Sequence, residues 1–320
     1  MAVQNPPRTA ADRPPAAGWA RRPAVLRRLA LATLVANVAI VVTGGAVRLT
    51  GSGLGCPTWP SCTDASLTPT REYAAHGVIE FANRQLTFVL GLLVLATLVA
   101  AVLARRQIRL AVLVAASIPA QAVLGGITVL THLNPWTVAA HFGLSMLIIA
   151  AAFALWWRLR DDPGPPGGTS TALRTAAWLI TALTAAVLAV GTVVTGSGPH
   201  AGDKGATHRI GFDPAAVSQL HADLVMLLIG ISLGFAVLTQ AAGASARLRR
   251  AGWLLVAVEL AQGLIGFVQY FSHVPAVLVG FHMLGACLVW LAALTVLART
   301  PATGPRATSA SARELVGRQP

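Results

Sequence analysis

"HVPAVLVGFH" occupies residues 273–282. Two histidines bracket eight residues that are almost wholly apolar. An ionisable side chain within an apolar helix is costly and marks function by default. The same frame appears earlier as "HLNPWTVAAH", residues 132–141, again with eight residues between the histidines. Both histidines recur at an offset of 141 positions. A spacing repeated at that distance implies two copies of one design.

The bulk composition says where that design sits. Of 320 residues, 55% are hydrophobic and only 11% are charged, against roughly 25% charged in soluble domains. A membrane-spanning helix needs about 20 mostly apolar residues. Eight segments qualify, at approximately 27–48, 75–103, 109–130, 137–157, 175–195, 215–239, 251–271 and 277–298. The expected class is an all-α integral membrane protein. The Pro-, Ala- and Arg-rich start has no early apolar core, so it reads as a disordered basic tail and not as a cleavable signal.

A net charge of +13 raises the question of a nucleic-acid partner. The distribution answers it. With the N-terminus inside, 19 of the 24 Lys and Arg fall in cytoplasmic segments. Only Arg48, Arg71, Arg84, Lys204 and Arg209 lie on the outer side. This positive-inside bias orients the chain with both termini in the cytoplasm and calls for no nucleic acid. The eight histidines do the reverse, all lying outside or in the outer halves of spans.

"RLRDDPGPPGGTSTALR" (158–174) is a Pro/Gly-rich linker that divides the chain. The organisation read from it is a cytoplasmic tail (1–26), a first four-helix half (27–157), the linker, a second half (175–298) and a second tail (299–320). The halves match beyond the histidine frames. "RLTGSG" (48–53) and "VVTGSG" (193–198) close spans one and five, and spans three and seven carry "AQAVLGG" and "AQGLIGF". "EFANR" (80–84) aligns with "SQLHA" (218–222), which sets Asn83 opposite His221. A repeat of four helices is even-numbered, so both copies insert in the same sense. The two bundles are expected to be related by a pseudo-twofold axis along the membrane normal.

His221 and His282 fall in the first turns of spans six and eight, at similar depth. Two histidines from different helices can bind one iron from opposite faces of a haem, with apolar helix faces gripping the macrocycle. A zinc site fits less well, because no Cys/His cluster has the necessary spacing. The bland alternative for each histidine is an interhelical hydrogen bond. Asp223, two residues on, is placed to support His221. His132 and His273 sit in short outer loops, where water solvates them.

The first outer loop reads "GGAVRLTGSGLGCPTWPSC" (44–62), and span two opens with "HGVIEFANR" (76–84). Loop and segment together resemble the heme A synthase family, over roughly residues 30–298. The resemblance implies eight spans in two halves, oxidation of the C8 methyl of heme O to the formyl group of heme A, and service to terminal oxidases. It implies a haem b between His221 and His282 and a first half that receives heme O, with His141 as one iron ligand. The other matching position holds Asn83, where many members have histidine. His76 is a candidate for the same pocket, but seven residues from Asn83 is about 10 Å along a helix. Glu80 matches the critical carboxylate, with proton transfer as its role. The alternative is an ion pair with Arg84 at i+4. Arg48 and Arg84 are candidates for haem propionates, against plain snorkelling. Cys56 and Cys62 face the oxidising side, where a disulfide is expected, the alternative being two free thiols. Heme O, membrane lipid, a heme O synthase and an electron donor are the implied partners, and the cell membrane is the implied location. The competing function is a haem b membrane cytochrome that only transfers electrons. It accounts for the histidines but not for Glu80 or the cysteine loop.

Overall fold

The computed structural model describes residues 23–70, 74–160, 169–200, 202–203 and 208–300. Most of the N-terminal tail, linker residues 161–168, the tail from residue 301, Arg71 and Lys204 lie outside the described residues. Eight helices follow one another: α1 (Pro23–Leu49), α2 (Ala74–Ala104), α3 (Ile108–Leu130), α4 (Pro135–Arg158), α5 (Thr171–Ser197), α6 (Pro214–Ala241), α7 (Ala246–Phe271) and α8 (Ala276–Ala298). Each falls on one of the eight apolar segments, and each is long and apolar enough to cross a membrane. Large apolar side chains such as Phe88, Leu92, Leu264 and Phe267 are exposed along them. Such faces are stable against lipid and not against water. The chain is an all-α, multi-pass membrane protein.

Local chemistry sets the helix boundaries. Pro135 and Pro214 occupy first turns, where the missing N–H costs nothing. Asn134 accepts from Trp136 N at 2.9 Å, and Asp213 accepts from Ala215 N and Ala216 N at 3.2 Å each. These caps satisfy N–H groups that the helices leave open. The C-termini of α3 and α7 share one device. After α3, His132 N donates to Val129 O and Leu133 N to Thr128 O. After α7, His273 N donates to Tyr270 O and Val274 N to Gln269 O. These paired bonds are Schellman caps, which need a left-handed residue just past the helix. His132 (φ 52°) and His273 (φ 62°) supply it. Glycine is the usual occupant, so each histidine holds a mildly strained turn at the head of the repeated frame.

The described residues fall into two compact units, those within 23–160 and 195–211, and those within 169–194 and 212–300. In the first, α1 packs on α2, α2 on α3, α3 on α4 and α4 back on α1. That ring places α2 and α4 on a diagonal. Its core includes Leu26, Ala30, Ala101 and Leu155, and the Thr33 and Thr97 hydroxyls join α1 to α2 at 2.8 Å. The segment from Thr195 belongs to this unit. Arg48 Nε donates to His200 O at 2.6 Å, and Gly53 N donates to Gly202 O at 2.8 Å. In the second unit α7 packs on both α6 and α8. Ala177 and Ile180 of α5 close that core with Phe235, Leu255 and Ala293.

Candidate functional site

In the second unit two histidines face each other. The His221 and His282 ring centroids are 6.5 Å apart, with the planes inclined at 63°. An imidazole nitrogen binds a transition metal at about 2.0–2.1 Å; with that nitrogen roughly 1.2 Å from its ring centroid, two bonds in line separate the centroids by about 6.4 Å. The separation fits one iron between the two rings. It is too long for a hydrogen bond between them.

Each histidine rests on a glycine of the preceding helix. A Cβ on Gly191 of α5 would lie 3.2 Å from His221 Cε1, and one on Gly266 of α7 would lie 3.0 Å from His282 Cε1. Gln262, one turn before Gly266, donates from Nε2 to the His282 main-chain oxygen at 2.8 Å. His282 Nδ1 is buried without a hydrogen-bond partner. Such atoms are rare in a folded interior unless a ligand or water completes their surroundings.

The first unit repeats this arrangement on α3 and α4. A Cβ on Gly125 would lie 3.0 Å from His141 Cε1. Gln121 Nε2 donates to the His141 main-chain oxygen at 2.9 Å and to Ser145 Oγ at 2.6 Å. His141 Nδ1 is likewise buried and unpartnered. On α1 and α2 the corresponding pair is Gly44 and Asn83, with Asn83 Nδ2 3.9 Å from a Cβ at Gly44. Asn83 Oδ1 is buried without a partner.

The loop between α1 and α2 is tied to α2. Cys56 and Cys62 form a disulfide. Arg84 has all five N–H groups engaged. Nε donates to Glu80 Oε1, Nη1 to the oxygens of Thr58 and Ser61, and Nη2 to Cys56 O and Glu80 Oε1. A propionate contact at Arg84 would have to displace one of these. Glu80 is 6% exposed, and its Oε2 accepts Cys56 N at 2.8 Å. His76, one turn earlier, meets Ser52 Oγ at 2.9 Å through Nδ1. Trp59 lies flat against Gly126, where a Cβ would come within 2.5 Å of its ring. Arg84 and the indole therefore hold the disulfide-closed loop to α2 and α3, next in the chain to Asn83 and Gly125.

Other polar groups stand apart. Arg48 donates to the main-chain oxygens of His200 and Thr195, which anchors the later segment. Asp223 is exposed and accepts from Gln219 Nε2 at 2.7 Å on its own helix, facing away from a supporting role at His221. Glu259 is buried and accepts from Ser232 Oγ at 2.8 Å. Reading the sequence did not identify Gln121, Gln262 or the glycine seats as site residues. Their signal was visible as Gln-x-x-x-Gly, one helical turn, in both "AQAVLGG" and "AQGLIGF".

Comparison with known proteins gives the chain its family. Residues 27–294 match the family model COX15-CtaA, described as cytochrome oxidase assembly protein. Among curated proteins, heme A synthase of Lysinibacillus sphaericus is 34% identical over 135 residues, 41% of this chain and 43% of that protein. Heme A synthase of Bacillus licheniformis is 31% identical over 135 residues, 41% of this chain and 44% of that protein. The matched stretch thus spans less than half the length of these relatives. The family model covers most of the chain, and with it the helices that carry every glycine-seated position: the protein belongs to the COX15-CtaA family of cytochrome oxidase assembly proteins.

Proposed function

We propose that this protein is a heme A synthase, oxidising the C8 methyl of heme O to the formyl group of heme A. The 6.5 Å separation of the His221 and His282 rings supports the haem in this reading, and the observation that carries the synthase over a plain cytochrome is the buried Glu80 carboxylate bonded to Arg84 and the Cys56 N–H. In this reading the second half (175–298) holds a resident haem b between those two histidines, and the first half (27–157) receives heme O with His141 toward its iron. A bis-histidine haem supplies one-electron transfer and no open coordination position. Gly191 and Gly266 let the rings approach their helices closely, and Gln262 fixes the α8 backbone beneath His282. Apolar helix faces keep water from the macrocycle.

In the first half, Glu80 is the proton-handling group. It is buried yet lies beside the outer loop, where water is near. Arg84 and the Cys56 N–H hold its carboxylate in one orientation, as a group that accepts or returns a proton must be held. The same contacts keep the disulfide loop over α2. The distribution of Lys and Arg supports both termini in the cytoplasm and the site near the outer face of the cell membrane. A heme O-making enzyme and an electron donor are the partners in this reading, and the four-electron oxidation of methyl to formyl also draws on an external oxidant and a source of the formyl oxygen.

The test is haem extraction from cells that make heme O and express this chain. Formyl haem is expected in the extract, with a low-spin bis-histidine spectrum in the purified protein. His221→Ala and His282→Ala should each remove most of that spectrum. A bis-histidine spectrum without formyl haem would assign the chain to electron transfer alone.

A further inference from the structure

Three of the four glycine seats carry an imidazole, at Gly125–His141, Gly191–His221 and Gly266–His282, and the fourth, Gly44, carries Asn83. The ring of helix contacts in the first unit puts α2 and α4 on a diagonal. Asn83 and His141 therefore occupy the two positions that His221 and His282 hold in the other half. The asparagine cannot complete the pair. Its amide reaches less far from the backbone than an imidazole by roughly one bond length, and an amide is not among the groups that hold haem iron. Its Oδ1 is nevertheless buried with no hydrogen-bond partner, and an unpartnered buried polar atom destabilises a fold unless something completes it. An asparagine offers both donors and an acceptor to whatever fills the space before it.

We infer that the first-half iron has His141 as its one protein ligand and an open position on the Asn83 side, where the amide hydrogen-bonds a small exogenous ligand, a diatomic or a small anion. This rests on the reading that the first half takes a haem. It divides the labour between the halves. The second half closes its iron for electron transfer. The first half leaves its iron accessible and sets a polar group over it, and distal polarity and access decide whether a haem binds small molecules.

The experiment uses the full-length protein purified from cells that make heme O, with cyanide on the ferric and carbon monoxide on the ferrous form as probes. Electron paramagnetic resonance and visible spectra are the readouts. The expected result is one low-spin iron that ignores both probes and one high-spin iron that binds them. His141→Ala should remove the second species and leave the first. Asn83→His should convert the second iron to low spin and abolish its cyanide binding. Asn83→Leu, which keeps the space open, should weaken cyanide binding about tenfold, the effect of one lost hydrogen bond of ~1.4 kcal/mol. Two low-spin irons that refuse both probes in the unaltered protein would overturn this inference and leave the two-haem reading intact. A single haem per chain that His141→Ala does not affect would overturn the two-haem reading itself, and this inference with it.

Discussion

Glu80 Oε2 accepts the main-chain N–H of Cys56 at 2.8 Å, so the buried carboxylate of α2 and the disulfide loop form one unit. The other oxygen takes two bonds from Arg84. A glutamine at 80 cannot reproduce this, because one of its two terminal atoms is a donor. Glu80→Gln is expected to leave the low-spin haem spectrum in place and to lower heme A formation by about 10²-fold or more, the contribution of a positioned acid–base group. Heme O or a hydroxylated product should accumulate. Arg84→Lys separates chemistry from anchoring: it loosens the loop and keeps the carboxylate. Haem extraction from both variants is the measurement. Equal losses would mean that Glu80 acts only as a clamp on the loop.

The glycine seats make a graded prediction. A methyl group at Gly266 would stand 3.0 Å from His282 Cε1, and one at Gly191 would stand 3.2 Å from His221 Cε1. Both are tighter than ordinary van der Waals contact, so each ring must shift by a few tenths of an ångström. Alanine is the better helix former by about 1 kcal/mol, so the helices themselves should not suffer. Gly266→Ala is expected to move the low-spin resonance signals and reduce haem retention, and Gly191→Ala to do the same more weakly. Circular dichroism should be unchanged. If both variants keep the unaltered haem spectrum, these histidines are not beside the haem.

The helices were legible in the sequence because lipid admits few alternatives: a backbone crossing a bilayer must satisfy its own hydrogen bonds. The eight apolar runs therefore became eight helices with ends shifted by a few residues. The extra turn on α1, from Pro23, lies among arginines that hydropathy alone leaves out. That His221 and His282 come close was also legible, since both fall in the first turns of their spans and so at similar depth. Arg84 was harder. Its three loop acceptors are main-chain oxygens of Cys56, Thr58 and Ser61, and carbonyl direction leaves no trace in residue type. The turn role of His132 and His273 was hidden in the same way. A left-handed backbone is ordinarily announced by glycine, and here two histidines adopt it.

Glu259 offers a test of membrane-interior polarity. Ser232 Oγ donates to its Oε1 at 2.8 Å, and Oε2 is buried without a partner. Removing the serine hydroxyl strips that partner from a buried carboxyl group, which costs about 1–3 kcal/mol. Ser232→Ala should therefore lower the thermal midpoint of the detergent-solubilised protein. Glu259→Leu should leave it unchanged or raise it, because an apolar replacement of a buried polar group is often neutral or stabilising. In the double variant the cost of Ser232→Ala should vanish. A cost that persists without Glu259 would show that the hydroxyl serves some other contact.

The disulfide and Arg84 restrain the same seven-residue loop, and this makes their effects interdependent. Cys56 and Cys62 are separated by 6 positions, and closing so short a loop contributes about 2 kcal/mol by chain entropy. Arg84 independently holds the main-chain oxygens of Cys56, Thr58 and Ser61 inside that loop. With the disulfide removed, those three bonds and the packing of Trp59 on Gly126 remain. The loop of a Cys56→Ser, Cys62→Ser variant should therefore stay docked, with slow amide hydrogen exchange at residue 56, and heme A formation should fall only a few-fold. Adding Arg84→Lys should cost far more than the two changes taken separately, since either restraint then lacks the other. Hydrogen exchange and haem extraction on the three variants measure this. A docked loop with no heme A in the double-serine variant would point the other way: position would be preserved and activity lost, so the sulfurs would have to take part in the chemistry and not only shape the loop.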